Sequence, residues 1–135
     1  MAHLIWNESY SVGCREIDLQ HKGLLDLVNK IYDLDPNVVS KAEIFATLNA
    51  LVKYAQTHFA TEERILRAHH YPHFDEHHKE HEAFIMDVFR FAERLEKKDP
   101  NIHRKIVDYI RNWYTVHILG MDRGYKEFLA SKGVV

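Results

Sequence analysis

Apolar residues recur three and four positions apart along four long segments of the chain, which is the spacing of an amphipathic α-helix. The first segment, "DLQHKGLLDLVNKIYDLD", covers residues 18–35 and stops before Pro36. The second begins at "SKAE", where Ser40 and Glu43 have capping-box spacing, and continues to about Ala68. No segment alternates with a period of two for long enough to predict a strand.

The third and fourth helical segments each open near a proline. The third is predicted to start at Pro72, because proline suits the first turn of a helix, and to run to about Lys97. "DPN" starts the fourth, with Asp99 as its N-cap and Pro100 at the first helical position, and Gly120 ends it. The inner face of this helix is predicted to carry Ile102, Ile106, Tyr109, Ile110, Trp113 and His117.

Two shorter pieces complete the predicted architecture. A short helix in "DRGYKEFLAS" follows the fourth segment and stops at Gly133. An N-terminal arm of about seventeen residues, which contains Trp6 and Tyr10, is too apolar to be loose and should pack along the helices. The short connections therefore predict an all-α, up-down-up-down four-helix bundle with an N-terminal arm and a short C-terminal helix.

Composition narrows the classes of function. At 135 residues the chain is expected to form a single domain, residues 1–135. The net charge is near −2 and no basic tract occurs, which argues against a nucleic-acid or membrane-surface partner, while the charged outer faces favour a monomer. The lone Cys14 excludes an internal disulfide framework, and neither a signal peptide nor a membrane-spanning apolar run is evident. A cytoplasmic location is the expectation.

Histidine is the unusual component, with 11 residues, and every predicted helix places at least one on its buried face. These inward histidines are His21, His58, His77, His81 and His117. An unpaired buried polar group costs roughly 1–3 kcal/mol, so any one of them alone is best interpreted as a core histidine with a hydrogen-bond partner. Five imidazoles together with Glu62, one turn after His58, instead indicate a metal, and nitrogen and carboxylate ligands suit iron or zinc.

Asp122 does not fit the helical spacing. It follows His117 by five residues, which on an ideal α-helix turns it about 140° away from the inner face. An end or a distortion of the helix at Gly120 would turn Asp122 back inward. Periodicity alone does not nominate this residue.

Taken together, these residues resemble the ligand set of the hemerythrin family in order and spacing, over essentially the whole chain. The matching pattern is a lone histidine in helix one, His58-x-x-x-Glu62, His77-x-x-x-His81 and His117-x-x-x-x-Asp122. Supporting segments are "SVG", "IDLQHKGLL" and "HFATEE". Each pair alone is common by chance on helices, whereas the complete set across four helices is highly specific.

The resemblance implies a non-haem di-iron centre that binds O2. One iron would be held by His77, His81 and His117. The other would be held by His21 and His58, which leaves an open coordination position. Glu62 and Asp122 would bridge the irons, together with an oxo or hydroxo bridge derived from water. His73 and His78 lie outside the family pattern and are predicted not to be ligands.

The implied function is reversible O2 binding for storage, delivery or sensing, and not catalysis. In the family chemistry the net charge of the centre does not change when O2 binds, so no charge is created in a low-dielectric core. The Glu-x-x-His pairs of oxygen-activating di-iron bundles are absent from the sequence. Two alternatives remain open: a redox enzyme that reduces peroxide or nitric oxide or oxidises ferrous iron, and a zinc-loaded structural bundle.

Four residues that flank the predicted ligands are expected to shape the O2 pocket. Phe59, Trp113 and Ile118 should keep it dry, or serve simply as core. Tyr114 stands where the family usually has leucine after the tryptophan. Its phenol is expected either to lie beside the open iron position, where it would bond to bound oxygen, hasten autoxidation or ligate ferric iron, or to reach the end of the bundle.

Overall fold

The computed structural model describes residues 3–97 and 101–135, and these residues form helices and connecting turns without any strand. The bundle helices are α1 (Arg15–Asp33), α2 (Lys41–Ala68), α3 (Phe74–Glu96) and α4 (Ile102–Val116), and α5 (Lys126–Ser131) is the short C-terminal helix. A 3-10 turn at Glu8–Tyr10 precedes α1, and π-helical and 3-10 turns, His117–Asp122 and Arg123–Tyr125, join α4 to α5. Each bundle helix contacts the next, and α4 also contacts α1, which confirms the predicted four-helix bundle.

The ends of the helices follow the expected capping chemistry in part. The Ser40 side chain accepts a hydrogen bond from the Glu43 backbone N–H at 3.1 Å, as the capping-box spacing predicts. The predicted start of α3 at Pro72 is wrong, because Tyr71 to Phe74 form a turn and the helix begins at Phe74. The N-cap and first helical position predicted for the fourth helix lie outside the described residues.

The buried apolar residues form two clusters. The larger fills the body of the bundle and includes Leu24, Leu48, Leu51, Phe84, Ile106 and Ile110. The smaller packs at the end that carries α5 and comprises Val12, Cys14, Ile17, Ile65, Leu66, Tyr125 and Leu129. In α1, His21 falls between Ile17 of the small cluster and Leu24 of the large one. The buried histidines, Glu62 and Asp122 thus form a polar layer between two apolar regions.

The N-terminal arm packs along the bundle, as its apolar composition predicts. The Leu4 N–H donates to the Asn29 side-chain oxygen at 2.9 Å, and the Asn29 amide donates back to the Leu4 carbonyl at 2.8 Å. Trp6 and Tyr10 are half-buried against the main core, with the Tyr10 ring 6.0 Å from that of Tyr114. None of the helices in the described part of the chain is long and apolar enough to cross a membrane.

Candidate metal centre

The polar layer brings together all seven residues predicted as ligands, and every one of them is buried. The helix α1 contributes His21, α2 contributes His58 and Glu62, α3 contributes His77 and His81, and the turn after α4 contributes His117 and Asp122. Two groups of ligand atoms each lie within 4.8 Å of one another: Glu62, His77, His81, His117 and Asp122, and His21, His58, Glu62 and Asp122. We call these the three-histidine side and the two-histidine side, and they share both carboxylates.

The two carboxylates divide their oxygen atoms between the two sides. Asp122 Oδ1 lies 2.8 Å from His77 Nε2 and 2.9 Å from His117 Nε2, whereas Oδ2 lies 2.9 Å from His21 Nε2. Glu62 Oε1 contacts His77 and lies 3.1 Å from His81 Nε2. Its other oxygen, Oε2, lies 3.2 Å from His58 Nε2. Each carboxylate therefore faces the three-histidine side with one oxygen and the two-histidine side with the other.

Asp122 reaches the centre because the chain changes its winding after α4. His117–Asp122 forms a π-helical turn, in which hydrogen bonds join residues five apart. Residues five apart then return to the same face, and Asp122 becomes fully buried beside His117. The helix does not end at Gly120, as predicted for the fourth segment, but is distorted there, which was the second expectation for this position. Gly120 is exposed within the turn, and a Cβ added to it would meet no atom within 4 Å, so the turn does not depend on the small size of glycine.

The geometry of the cluster suits a cation better than hydrogen bonds. His21 Nε2, His81 Nε2, His117 Nε2 and both Asp122 oxygens have no properly oriented hydrogen-bond partner among the described residues. They lie at ion-pair distance from their neighbours, and the ligand atoms of each side lie within 4.8 Å of one another, which is close enough to share one ion. Each such buried group left without a bond costs about 1–3 kcal/mol, and a bound metal removes that cost. Imidazole nitrogen and carboxylate oxygen are the donor types that iron and zinc accept.

The carboxylates strongly change the pKa values of the histidines between them. Burial lowers the pKa of His21, but Asp122 and Glu62 outweigh it and raise the pKa to about 9. Burial also lowers the pKa of His77, and the same two carboxylates raise it to about 10. Burial raises the pKa of Glu62, but the His58 charge and the close contacts with His21, His58 and His77 hold that pKa well below its usual value. Cations that bind here must displace protons from imidazole.

Two polar residues outside the cluster orient its histidines from behind, and sequence reasoning missed both. Glu63 accepts a hydrogen bond from His81 Nδ1 at 2.8 Å and another from the half-buried His78 at 2.5 Å. Gln20 accepts a hydrogen bond from His58 Nδ1 at 2.7 Å. Each bond fixes the tautomer that presents Nε2 to the centre. Glu63 and Gln20 are sequence neighbours of predicted ligands, but adjacent helical residues point about 100° apart, so the pattern gave no signal for them.

Tyr125 is a third residue that the sequence did not indicate. It is fully buried, and its hydroxyl donates to Glu62 Oε2 at 3.0 Å, on the two-histidine side. Burial raises the pKa of this phenol well above its usual value, so it stays a proton donor. The only sequence signal is its place one helical turn after Asp122.

Aromatic rings cover the three-histidine side. Phe59 stacks on His81 with ring centroids 3.8 Å apart, and Trp113 stacks on His117 at 4.3 Å. Trp113 and Tyr109 are half-buried rather than fully inward, and the buried residues of α4 are Ile102, Ile106, Val107, Ile110 and Tyr114. The inner face of α4 thus keeps Ile102, Ile106 and Ile110 as predicted, and Val107 and Tyr114 are its other buried residues in place of Tyr109 and Trp113. Ile118 is buried in the main core, as expected.

The Tyr114 hydroxyl has a hydrogen-bond partner that was not expected, because the sequence predicted that it would lie either beside the open iron position or at the end of the bundle. Its side chain is fully buried, and its hydroxyl donates to the backbone carbonyl of His21 at 2.8 Å. Burial raises the pKa of this phenol above its usual value. The hydroxyl therefore does not reach the end of the bundle but lies against the backbone of the two-histidine side.

His73, which was predicted not to be a ligand, is exposed at the start of α3.

The fold and the buried polar layer define a four-helix bundle with a site suited to metal ions. The family model described as the hemerythrin HHE cation binding domain matches residues 12–129 of the chain. The chain belongs to the hemerythrin family, which confirms the resemblance seen in the sequence.

Curated relatives and solved structures agree with this assignment. A bacteriohemerythrin of Pseudomonas aeruginosa is 30% identical over 125 residues, which cover 93% of this chain and 80% of the relative. One from Clostridium acetobutylicum is also 30% identical, over 90% of this chain and 97% of the relative. The crystal structure of a wild-type hemerythrin superposes with a TM-score of 0.83 at 25% identity, covering 93% of this chain and 97% of that chain. A leucine-to-tyrosine mutant of hemerythrin has the same TM-score at 26% identity, covering 94% and 97% of the two chains.

Proposed function

We propose that this protein binds O2 reversibly at a centre of two non-haem irons. The observation that carries the proposal is the division of the Glu62 and Asp122 oxygens between two groups of imidazoles. In this proposal Glu62 and Asp122 are the bridging carboxylates. The terminal ligands are His77, His81 and His117 on one iron, and His21 and His58 on the other.

The unequal number of imidazoles supports the position proposed for O2. Three histidines face the shared carboxylates on one side and two on the other. An iron held by His21 and His58 would have fewer protein ligands than one held by His77, His81 and His117, and the pair of irons would supply the redox chemistry that holds O2. With only two carboxylates, the ligand set donates less charge than the four-carboxylate sets of oxygen-activating bundles. That difference favours carriage over cleavage of the O–O bond.

The surrounding side chains orient the ligands and exclude water. Glu63 and Gln20 hold His81 and His58 from behind, and Tyr125 holds the Glu62 oxygen on the two-histidine side. Phe59 and Trp113 stack directly on histidines of the three-histidine side. Storage, delivery and sensing are all served by this chemistry.

Tyr114 favours one alternative function, in which the centre is a redox enzyme that consumes a substrate and does not carry O2. Its hydroxyl bonds to the carbonyl of His21, so a phenol stands beside the side proposed to bind O2. We propose that Tyr114 hastens autoxidation, which would direct the centre towards reduction of peroxide or nitric oxide or oxidation of ferrous iron. A zinc-loaded structural bundle is the remaining alternative, and metal analysis distinguishes it.

The test is anaerobic reduction of the iron-loaded protein, followed by cycles of air and argon with the visible spectrum recorded. Reversible binding predicts two irons per chain and a charge-transfer band that appears with O2 and disappears without it. His77→Ala should lose the band, whereas His73→Ala, which changes an exposed histidine near the start of the same helix, should keep it. A two-iron protein that never shows the band would overturn the proposal.

A further inference from the structure

A row of aromatic side chains connects the candidate metal centre with the surface of the bundle. The Trp113 ring stacks on His117 with centroids 4.3 Å apart and an angle of 11°. Phe84 lies 4.1 Å from Trp113, and Tyr109 lies 6.2 Å beyond Phe84, nearly parallel to it at 14°. Rings in such contact provide a continuous path for electron transfer.

The outer end of this row is arranged for proton loss. The Tyr109 hydroxyl donates to Asp87 Oδ2 at 2.6 Å, within the range required of a base that takes a proton. Tyr109 is half-buried, and the Asp87 side chain is 33% exposed, so both can meet solvent and small molecules. Arg90 donates to the other Asp87 oxygen at 2.8 Å and keeps the carboxylate in place. Tyrosine loses an electron readily only when its phenolic proton leaves at the same time.

We propose that Tyr109, Phe84 and Trp113 form an electron-transfer route by which a phenolic reductant at the surface supplies electrons for the reduction of hydrogen peroxide at the metal centre. The inference rests on the proposed di-iron centre and adds to it a partly exposed tyrosine, Tyr109, that small phenols reduce by collision. It assigns no role to Tyr109 in O2 binding.

The electrons and protons of this reaction balance. Tyr109 gives one electron inward through Phe84 and Trp113 and its phenolic proton to Asp87. A phenol then transfers a hydrogen atom to the tyrosyl radical, which becomes tyrosine again, and Asp87 releases its proton to solvent. Two such rounds supply the two electrons and two protons that break the O–O bond of hydrogen peroxide. The sum is one peroxide and two phenols giving two waters and two phenoxyl radicals.

A second row of rings leaves the centre in another direction and serves as a matched control. His77 lies 5.5 Å from Tyr125, which lies 6.0 Å from the half-buried Tyr71. The Tyr125 hydroxyl donates to Glu62 inside the centre, and no carboxylate among the described residues accepts the Tyr71 hydroxyl. Among the described residues this row therefore lacks a carboxylate that is hydrogen-bonded to its outer tyrosine, which is the feature that distinguishes Tyr109.

The experiment starts with iron-loaded protein whose two irons and O2 band have been verified, because loss of either overturns the proposed function and this inference together. The protein is mixed with hydrogen peroxide and frozen for electron paramagnetic resonance, and a nitroso spin trap locates the radical by peptide mass spectrometry. Tyr109→Phe should abolish the tyrosyl signal and the trapped peptide, whereas Tyr71→Phe should leave both unchanged.

A second variant isolates the proton acceptor. Asp87→Asn keeps the shape of a partly exposed side chain but accepts a proton poorly, so it should lower the rate of guaiacol oxidation by on the order of 10²-fold with the O2 band intact. A radical that persists in Tyr109→Phe, or that disappears in Tyr71→Phe, would overturn the route while leaving O2 binding untouched. An unchanged rate in Asp87→Asn would overturn the role of the carboxylate.

Discussion

The three-histidine side and the two-histidine side share two carboxylates but differ in what stands behind their imidazoles. His81 donates its outer N–H to the carboxylate of Glu63, whereas His58 donates to the neutral amide of Gln20. An anion behind an imidazole makes it a stronger metal ligand than an amide does. The three-histidine side therefore has both more ligands and a better donor. We therefore expect the three-histidine side to retain a metal ion more firmly than the two-histidine side.

The largest expected effect comes from breaking what the two sides share. Glu62→Ala removes one of the two carboxylates that both sides share. The buried His58 and His81 then lose an acidic partner. We expect fewer than two irons per chain and a loss of about 3–5 kcal/mol in the free energy of unfolding, as when a buried ion pair loses a partner. Metal analysis and urea unfolding measure both. Glu76→Ala, at an exposed position, is the control, and full iron loading of Glu62→Ala would contradict the proposed bridge.

The pH dependence of the metal-free protein separates the two sides. His77 and His21 have folded pKa values raised to about 10 and about 9, above the unfolded value of 6.5. Binding of these protons stabilises the folded state fully below pH 6.5, and this stabilisation is lost as pH rises through 9 and 10. The free energy of unfolding changes by about 1.4 kcal/mol per proton and pH unit. We expect the unfolding free energy in urea to fall from pH 7 to 10, with His21 losing its proton first. A flat profile over that range would contradict the coupling.

A reciprocal pair of substitutions tests the difference between carboxylate and amide. Glu63→Gln should weaken metal retention on the three-histidine side by about 10–100-fold, the usual effect of losing a partner behind a ligand. Gln20→Glu should slow metal release from the two-histidine side, because His58 gains an anion. Release into a chelator, followed as two phases, measures each side. If both variants change the same phase, the two sides do not differ in the way proposed here.

The smallest effect concerns Tyr114, which touches the backbone of the two-histidine side. Tyr114→Leu removes the phenol, and we expect autoxidation of the oxygenated protein to slow by about 2- to 10-fold, the equivalent of one hydrogen bond. Tyr114→Phe separates the hydroxyl from the ring. The decay of the O2 band in air gives the rates. Equal rates in all three proteins would remove Tyr114 from the account of autoxidation.

Residue spacing along the chain was enough to predict the helices and most residues of the cluster. Helical periodicity is a property of neighbouring residues along one chain segment, so it predicted four helices and placed His58 with Glu62, and His77 with His81, on inner faces. The Ser40 cap followed from the same local chemistry. These features depend on spacing, which the sequence contains in full.

Only the tertiary structure decided the features that depend on winding and on packing between helices. Periodicity did not predict Asp122, which only the family resemblance named, and it joins the cluster because a π-helical turn replaces the α-helical spacing after His117. Glu63 meets His81, and Gln20 meets His58, across helix interfaces. Such contacts depend on the rotation and axial offset of packed helices, which are set by how all side chains in the core fit together.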